Sequence, residues 1–203
     1  FLGEPWKIVD CGNVDVLHTE QTRSFQNCEA AIRKILSKKA IPFVIGGDHA
    51  ITTPILRAFD CFDNLCVIHF DAHLDFSKNP HGIAEGPGSP MRRASEMAHI
   101  SKIVQIGIRG IGSSQLSDFQ DAEAYGNTII TSREVRRNGV EWVASCIPQA
   151  EHYYISFDID GLDPSIAIGT GSPVPFGLLY EEASAIIEAV ANKGSIVGMD
   201  MVE

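Results

Sequence analysis

LCVIHFDAHLDF, residues 65–76, changes character halfway along. Leu65 to Phe70 is apolar at nearly every position, the pattern of a strand covered on both faces, as in a parallel sheet between helical layers. From Asp71 onward, Asp71, His73 and Asp75 alternate with Ala72, Leu74 and Phe76. In an extended chain that period of two puts the three polar side chains on one side. Carboxylates and an imidazole gathered where a buried strand ends call for a positive charge among them, because crowded acids otherwise repel and reprotonate.

The same alternation of apolar runs and helical periods extends in both directions. Strands are expected at WKIVDC (6–11), PFVIG (42–46), LCVIHF (65–70), IVQIGI (103–108), NTIIT (127–131), HYYISFD (152–158) and SIVGMDMV (195–202). Helices are expected over 22–39, 52–59, 89–98, 114–124, 133–147 and 180–193. In the first, Phe25, Cys28, Ile32, Ile35 and Leu36 share one face while Arg33, Lys34, Lys38 and Lys39 fall mostly on the other. Strand and helix in alternation imply crossover connections, hence an α/β fold: a three-layer α/β/α sandwich with a mostly parallel sheet. No linker divides the chain, so residues 1–203 read as a single domain. The Gly- and Pro-rich loops at 79–90 and 161–177 fall at the sheet edge where ligands bind, beyond the carboxyl ends of the strands.

Two further polar clusters follow predicted strands: GGDHA (46–50) and SFDIDGLD (156–163). A parallel sheet brings all three to one rim. His49, Asp71, His73, Asp75, Asp158 and Asp160 then converge as four carboxylates and two imidazoles, a charge that suits two divalent cations. Oxygen and imidazole donors without thiolate favour manganese over a structural zinc. Because the two histidines must be neutral to coordinate, metal binding should weaken below about pH 6. His69, on the strand itself, reads as a packed core histidine. Asp48 is placed to orient the site by hydrogen bonding, and Asp163 before Pro164 to form a turn.

Composition narrows the function. A formal charge of −10 and a pI near 5.1 argue against nucleic-acid or anionic-membrane partners and favour cationic small molecules or metals. Five cysteines without a disulfide rhythm suit a reducing compartment, and no apolar run is long enough to span a membrane, so a cytoplasmic location is expected.

With GGDHA, HFDAHLDF and SFDIDGLDPSIAIGTGSP in this order, supported by QIGIRGIGSS (105–114) and GMDMVE (198–203), the chain resembles the ureohydrolases, the arginase and agmatinase family, and within it the agmatinase-like branch. The resemblance implies an arginase/deacetylase-like fold, truncated here at both ends relative to longer members. It implies one Mn2+ on His49, Asp71, Asp75 and Asp158 and a second on Asp71, His73, Asp158 and Asp160. A hydroxide held between the two would attack a guanidinium carbon, giving urea and an amine. Asp75 would accept a hydrogen bond from the hydroxide, Glu203 would pair with the guanidinium, and Ser172 would supply a hydroxyl near the metals. The proton shuttle of related sequences is a histidine where this chain has Pro87, in GPGSPMRRA; His81, in NPHGI, is the nearest substitute. Ser77 stands where arginases carry Asn, which points away from arginase proper. Agmatine or a guanidino acid is the implied substrate, and a trimer or hexamer the implied assembly. The resemblance leaves open a metal-binding relative of little activity with a regulatory role.

Overall fold

The structure, a computed structural model, describes residues 7–79, 82–110 and 114–203. Six strands form one sheet: β1 (Phe43–Ile45), β2 (Leu65–Phe70), β3 (Ile100–Ile108), β4 (Thr128–Thr131), β5 (His152–Asp158) and β6 (Ser195–Val202). Every pairing is parallel, in the order β1-β6-β5-β2-β3-β4. From β2 the chain winds outward through β3 to β4, then returns to the other side of β2 for β5. The reversal point of an open parallel sheet is where neighbouring connections diverge and leave a crevice. It lies here between the carboxyl ends of β2 and β5.

All six residues of β2 are buried. Leu65 and Val67 join a core with Cys28 and Ile32 of α1 (Gln21–Leu36), Ile55 and Leu56 of α2 (Thr52–Arg57), Met91 and Ala94 of α3 (Pro90–Ser95), and Ala122 of α4 (Leu116–Tyr125). Cys66, Ile68 and Phe70 face the opposite core, with Val135 of α5 (Ser132–Asn138), Val143 of α6 (Val140–Cys146), and Ile186 and Val190 of α7 (Tyr180–Ala191). Each fully buried aliphatic or aromatic side chain contributes about 1.5–3 kcal/mol. Burial on both faces is therefore what holds the sheet between its helix layers, as the unbroken apolar run predicts.

Local chemistry sets the helix ends. Thr131 and Glu134 cap α5 reciprocally: the Glu134 N–H donates to Thr131 Oγ1 (3.2 Å) and the Thr131 N–H to Glu134 Oε2 (2.9 Å). In α7, Glu181 and Glu182 occupy the first turn, where the helix dipole favours acids.

Two expectations need correction. Residues 7–11 of the first predicted strand are not in the sheet, and Ile8 and Val9 are exposed. An apolar run becomes a strand only where it joins an edge; among the described residues β1, at the end of the sheet, pairs with β6, and residues 7–11 do not add to its other side. The helix predicted over 133–147 is two helices, broken at Gly139, whose φ of 82° suits glycine and ends α5.

Candidate metal centre

The rim between β2 and β5 gathers the predicted ligands on the face shared with α1–α4. Asp71 leaves β2 directly, its N–H held by Ile106 O at 3.1 Å. The chain then turns instead of staying extended. The His73 N–H donates to Asp71 Oδ1 (2.5 Å), and Asp75 takes a left-handed φ of 49°. After β5, Asp158 Oδ1 accepts the Asp160 N–H (2.9 Å) in a short 3-10 turn, Ile159–Gly161, and Asp160 Oδ1 accepts the Ala72 N–H (2.9 Å). The shared side expected from a period of two is thus reached through turns that use the carboxylates themselves as caps. His49 opens the 3-10 turn His49–Ile51 behind β1; Asp48 caps that turn by accepting the Ala50 N–H at 3.0 Å.

His49 Nδ1 lies 3.0 Å from Asp75 Oδ2, 3.2 Å from Asp71 Oδ2 and 3.3 Å from Asp158 Oδ2. His73 Nδ1 lies 2.9 Å from Asp160 Oδ2 and 3.4 Å from Asp71 Oδ1. Asp71 therefore shows one oxygen to each imidazole. Of the two carboxylates assigned to both metals, Asp71 is the one that, among the described residues, places an oxygen near each imidazole; Asp158 reaches His49, and its other oxygen accepts the Asp160 N–H.

These distances fit cations. Donors set at right angles about an ion with bonds of about 2.1 Å are about 3 Å apart. His49 Nδ1 is buried and forms no hydrogen bond, although three carboxylate oxygens surround it. One N–H serves one acceptor; a metal ion serves all four atoms at once.

The network behind the ligands fixes their protons. His49 Nε2 is 3.0 Å from Ser156 Oγ, and Ser156 donates to Asp200 Oδ1 (2.9 Å). Asp200 Oδ2 also accepts from Tyr154 (2.6 Å) and Thr52 (3.0 Å). With the Ser156 proton committed to Asp200, His49 Nε2 must be the donor, so that a neutral His49, once its extra proton is displaced, turns the Nδ1 lone pair toward the carboxylates. On the other side, the Gln105 amide donates to His69 Nδ1 (3.1 Å) and Leu74 O (2.5 Å), so His69 carries its proton on Nε2 and gives it to Asp71 Oδ2 (2.8 Å). His69 is a buried, satisfied histidine, as its place within the strand suggests. Gln105, His69, Ser156 and Asp200 pair in register across β3, β2, β5 and β6, a polar row one step beneath the ligands. Of these, Gln105, Ser156, Asp200 and the supporting Tyr154 escape sequence reasoning. Stepping back by two from Asp71 to His69 and from Asp158 to Ser156 was the available signal.

Charge is unevenly shared. Burial pulls the His49 imidazole down, but Asp158, Asp71 and Asp75 outweigh it and hold it well above its ordinary value. Asp160 and Asp71 push His73 up to about 10. Burial raises Asp71, yet His69, His49 and His73 bring its carboxyl well below the usual range. Burial, with the charge of Asp71, raises Asp75; burial chiefly raises Asp160 to about 6. Without a cation, protons take its place on the imidazoles. Metal entry must expel them, so proton competition extends well above the pH 6 expected from unperturbed histidine. Affinity for a divalent cation should climb between pH 6 and 9 by about ten-fold per pH unit for each proton displaced. Calorimetry in buffers of different ionisation enthalpy at pH 7.5 should register net proton release; a flat affinity over that range would contradict protonated imidazoles in the metal-free centre.

The remaining predicted site residues divide. Glu203 is exposed; its N–H donates to Gly47 O (3.2 Å), and its Oε1 accepts from the Gly171 N–H (2.5 Å) and Thr170 Oγ1 (3.2 Å). Ser172 is exposed on the same loop, its N–H 3.4 Å from Thr170 Oγ1, and is not drawn into either histidine group. Pro87 sits exposed in a turn, while His81 lies outside the described residues. Ser77 is buried and donates to Asp118 Oδ2 (2.8 Å). Asp163 forms the expected turn, accepting from Ser165 and from the Gly177 N–H. All five thiols are free, and among the described residues no helix is long and apolar enough to cross a membrane.

Comparison with known proteins agrees with this architecture. The family model for the Arginase family matches residues 2–203. An agmatinase of Neisseria meningitidis is 37% identical over 205 residues, covering 98% of this chain and 63% of the relative. The mitochondrial guanidino acid hydrolase of Homo sapiens is 32% identical over 208 residues, covering 97% and 57%. The solved proclavaminate amidino hydrolase of Streptomyces clavuligerus superposes with a TM-score of 0.84 at 32% identity, over 96% of this chain and 66% of that one. The chain thus spans about three-fifths of the length of these curated relatives.

Proposed function

We propose, since this chain belongs to the arginase family, that its acidic centre hydrolyses a guanidino compound, agmatine or a guanidino acid, to urea and an amine. Support comes above all from His49 Nδ1, which meets three carboxylate oxygens at 3.0–3.3 Å while the other oxygen of Asp71 faces His73. In this reading His49, Asp71, Asp75 and Asp158 hold one Mn2+, and Asp71, His73, Asp158 and Asp160 a second. Such a pair, when bound, makes a water nucleophilic near neutral pH.

The side chains do the rest. Asp75 accepts a hydrogen bond from the attacking group and aims it. Glu203 faces the planar guanidinium with a charge-assisted pair, and the Thr170 hydroxyl and Gly171 N–H fix the plane of its carboxylate, so the guanidinium carbon is presented in one orientation. Ser172 adds a hydroxyl at the mouth, and His81 carries the proton to the departing amine. The full reading is one domain over residues 1–203, in a cytoplasmic trimer or hexamer of a protein that takes no nucleic acid or membrane partner.

A second reading, a metal-binding relative with little turnover, is favoured by Pro87, whose ring carries no proton where related sequences place a histidine. One experiment separates the two. The purified chain is loaded with manganese, its metal counted, and agmatine, guanidinobutyrate, guanidinopropionate and arginine screened for urea. About two manganese ions per chain and urea from a substrate other than arginine are expected. Two ions without urea would select the second reading, and a single tightly held zinc would defeat both.

A further inference from the structure

Arg109 directly follows β3, inside the motif QIGIRGIGSS. Its half-buried guanidinium donates to six carbonyl oxygens. Nη2 reaches Asp160 O (2.7 Å), Val174 O (2.7 Å) and Leu162 O (3.1 Å); Nη1 reaches Gly107 O (3.0 Å) and Gly161 O (3.2 Å); Nε reaches Val174 O (3.1 Å) and Pro175 O (3.2 Å). Among the described residues these bonds all go to backbone, none to a carboxylate. A surface arginine would be expected to take an acid; one spent wholly on carbonyls fixes chain position. Burial lowers its pKa, opposed by the charges of Asp160, Asp163 and Asp71.

Besides Gly107 O on β3 itself, the carbonyls come from two places that must stay in step: the turn carrying Asp160 with the adjoining Leu162, and residues 174–175 of the loop whose Thr170 and Gly171 hold Glu203. We infer that Arg109 is a positioning residue, whose planar fork locks the Asp160 turn to the loop 161–177 and so sets the distance between the His73–Asp160 half of the centre and the guanidinium-facing carboxylate. Lysine cannot replace it, since three donors radiating from one nitrogen do not reach two segments in one plane. The backbone amides of Arg109 and Gly110, which donate to Ala72 O at 2.8 and 2.7 Å, are untouched by substitution, so the 71–75 turn keeps its anchor. The effect should therefore be one-sided.

The metal half of this inference rests on the two-ion reading; the loop half does not. In metal-free R109K, amide exchange across 161–177 should quicken by about ten-fold or more while β2 stays protected. In manganese titrations followed by calorimetry and electron paramagnetic resonance, one site should weaken by about ten-fold or more and the other by no more than about three-fold. R109M, with neither charge nor donors, should exaggerate both. Loop exchange equal to wild type in R109K, equal weakening of both sites, or loss of protection throughout β2 would each overturn the assignment. If wild type binds no manganese, the proposed function fails, and loop exchange alone still decides for or against the lock.

Discussion

Asp71→Asn is expected to leave a folded chain that holds no metal pair and releases no urea. Asp71 is the one carboxylate with an oxygen toward each imidazole, 3.2 Å from His49 Nδ1 and 3.4 Å from His73 Nδ1. An asparagine in its place has one oxygen and one amide nitrogen, so one of the two groups would face N–H donors where a cation needs a lone pair. Charge acts the same way, since each cation loses a share of a buried carboxylate. Asp158→Asn removes an oxygen 3.3 Å from His49 Nδ1 and is expected to behave likewise. On the two-ion reading proposed above, metal content by elemental analysis should fall from about two ions per chain to none, with urea release lower by about 1,000-fold or more, about 4 kcal/mol of barrier. Circular dichroism should show the sheet intact. Two tightly held ions in Asp71→Asn would remove the site assignment.

A large loss of stability is expected from Gly161→Ala, a change of one methyl group. A Cβ there would stand 2.9 Å from Asp71 N and 3.1 Å from both Asp71 Cα and the Phe70 carbonyl carbon. These are backbone atoms at the end of the central strand and cannot rotate away, unlike the Ile51 side chain that a Cβ at Gly46 would meet. The turn carrying Asp160 must separate from β2 or β2 must bend. Overpacking of this kind costs about 2–3 kcal/mol, which lowers the melting temperature by about 4–12 °C in a chain of this size. Because the same displacement parts Asp160 from Asp71, manganese affinity should fall as well. Gly47→Ala is the matched control, since a Cβ there meets nothing within 4 Å; thermal melts of the two should differ by most of that interval. Equal melting temperatures would mean that the close approach of the two strand ends carries no load.

How far these features could be read in advance depends on their range along the chain. LCVIHF announced a strand buried on both faces because burial acts residue by residue, and all six of its side chains are buried. WKIVDC looked similar and failed in its described part, because strand formation also needs a partner and residues 7–11 have none. The break at Gly139 was missed because a helical period tolerates a glycine at a cost of about 1 kcal/mol, and only its φ of 82° marks the break. His49, Asp71, Asp75 and Asp158 were legible as a group because each follows an apolar run, and parallel strands end on one rim. Ser156, Asp200 and Arg109 were not, since a serine on a strand or an arginine after one has no meaning until its partners are in view.

By itself, then, the order of residues determined the α/β class, the parallel sheet and the six polar groups gathered at one rim. These follow from periodicity and burial, which neighbouring residues settle among themselves. Only the tertiary structure decided that β5 returns to lie against β2, that Asp71 faces both imidazoles, and that buried hydroxyls and amides select the tautomers of His49 and His69. Apart from the His73 side of Asp71, those outcomes depend on contacts between residues distant in the chain, 22 positions for His49 and Asp71, 36 for His69 and Gln105 and 107 for His49 and Ser156, whose pairing is set by packing of the whole sheet and not by any local pattern.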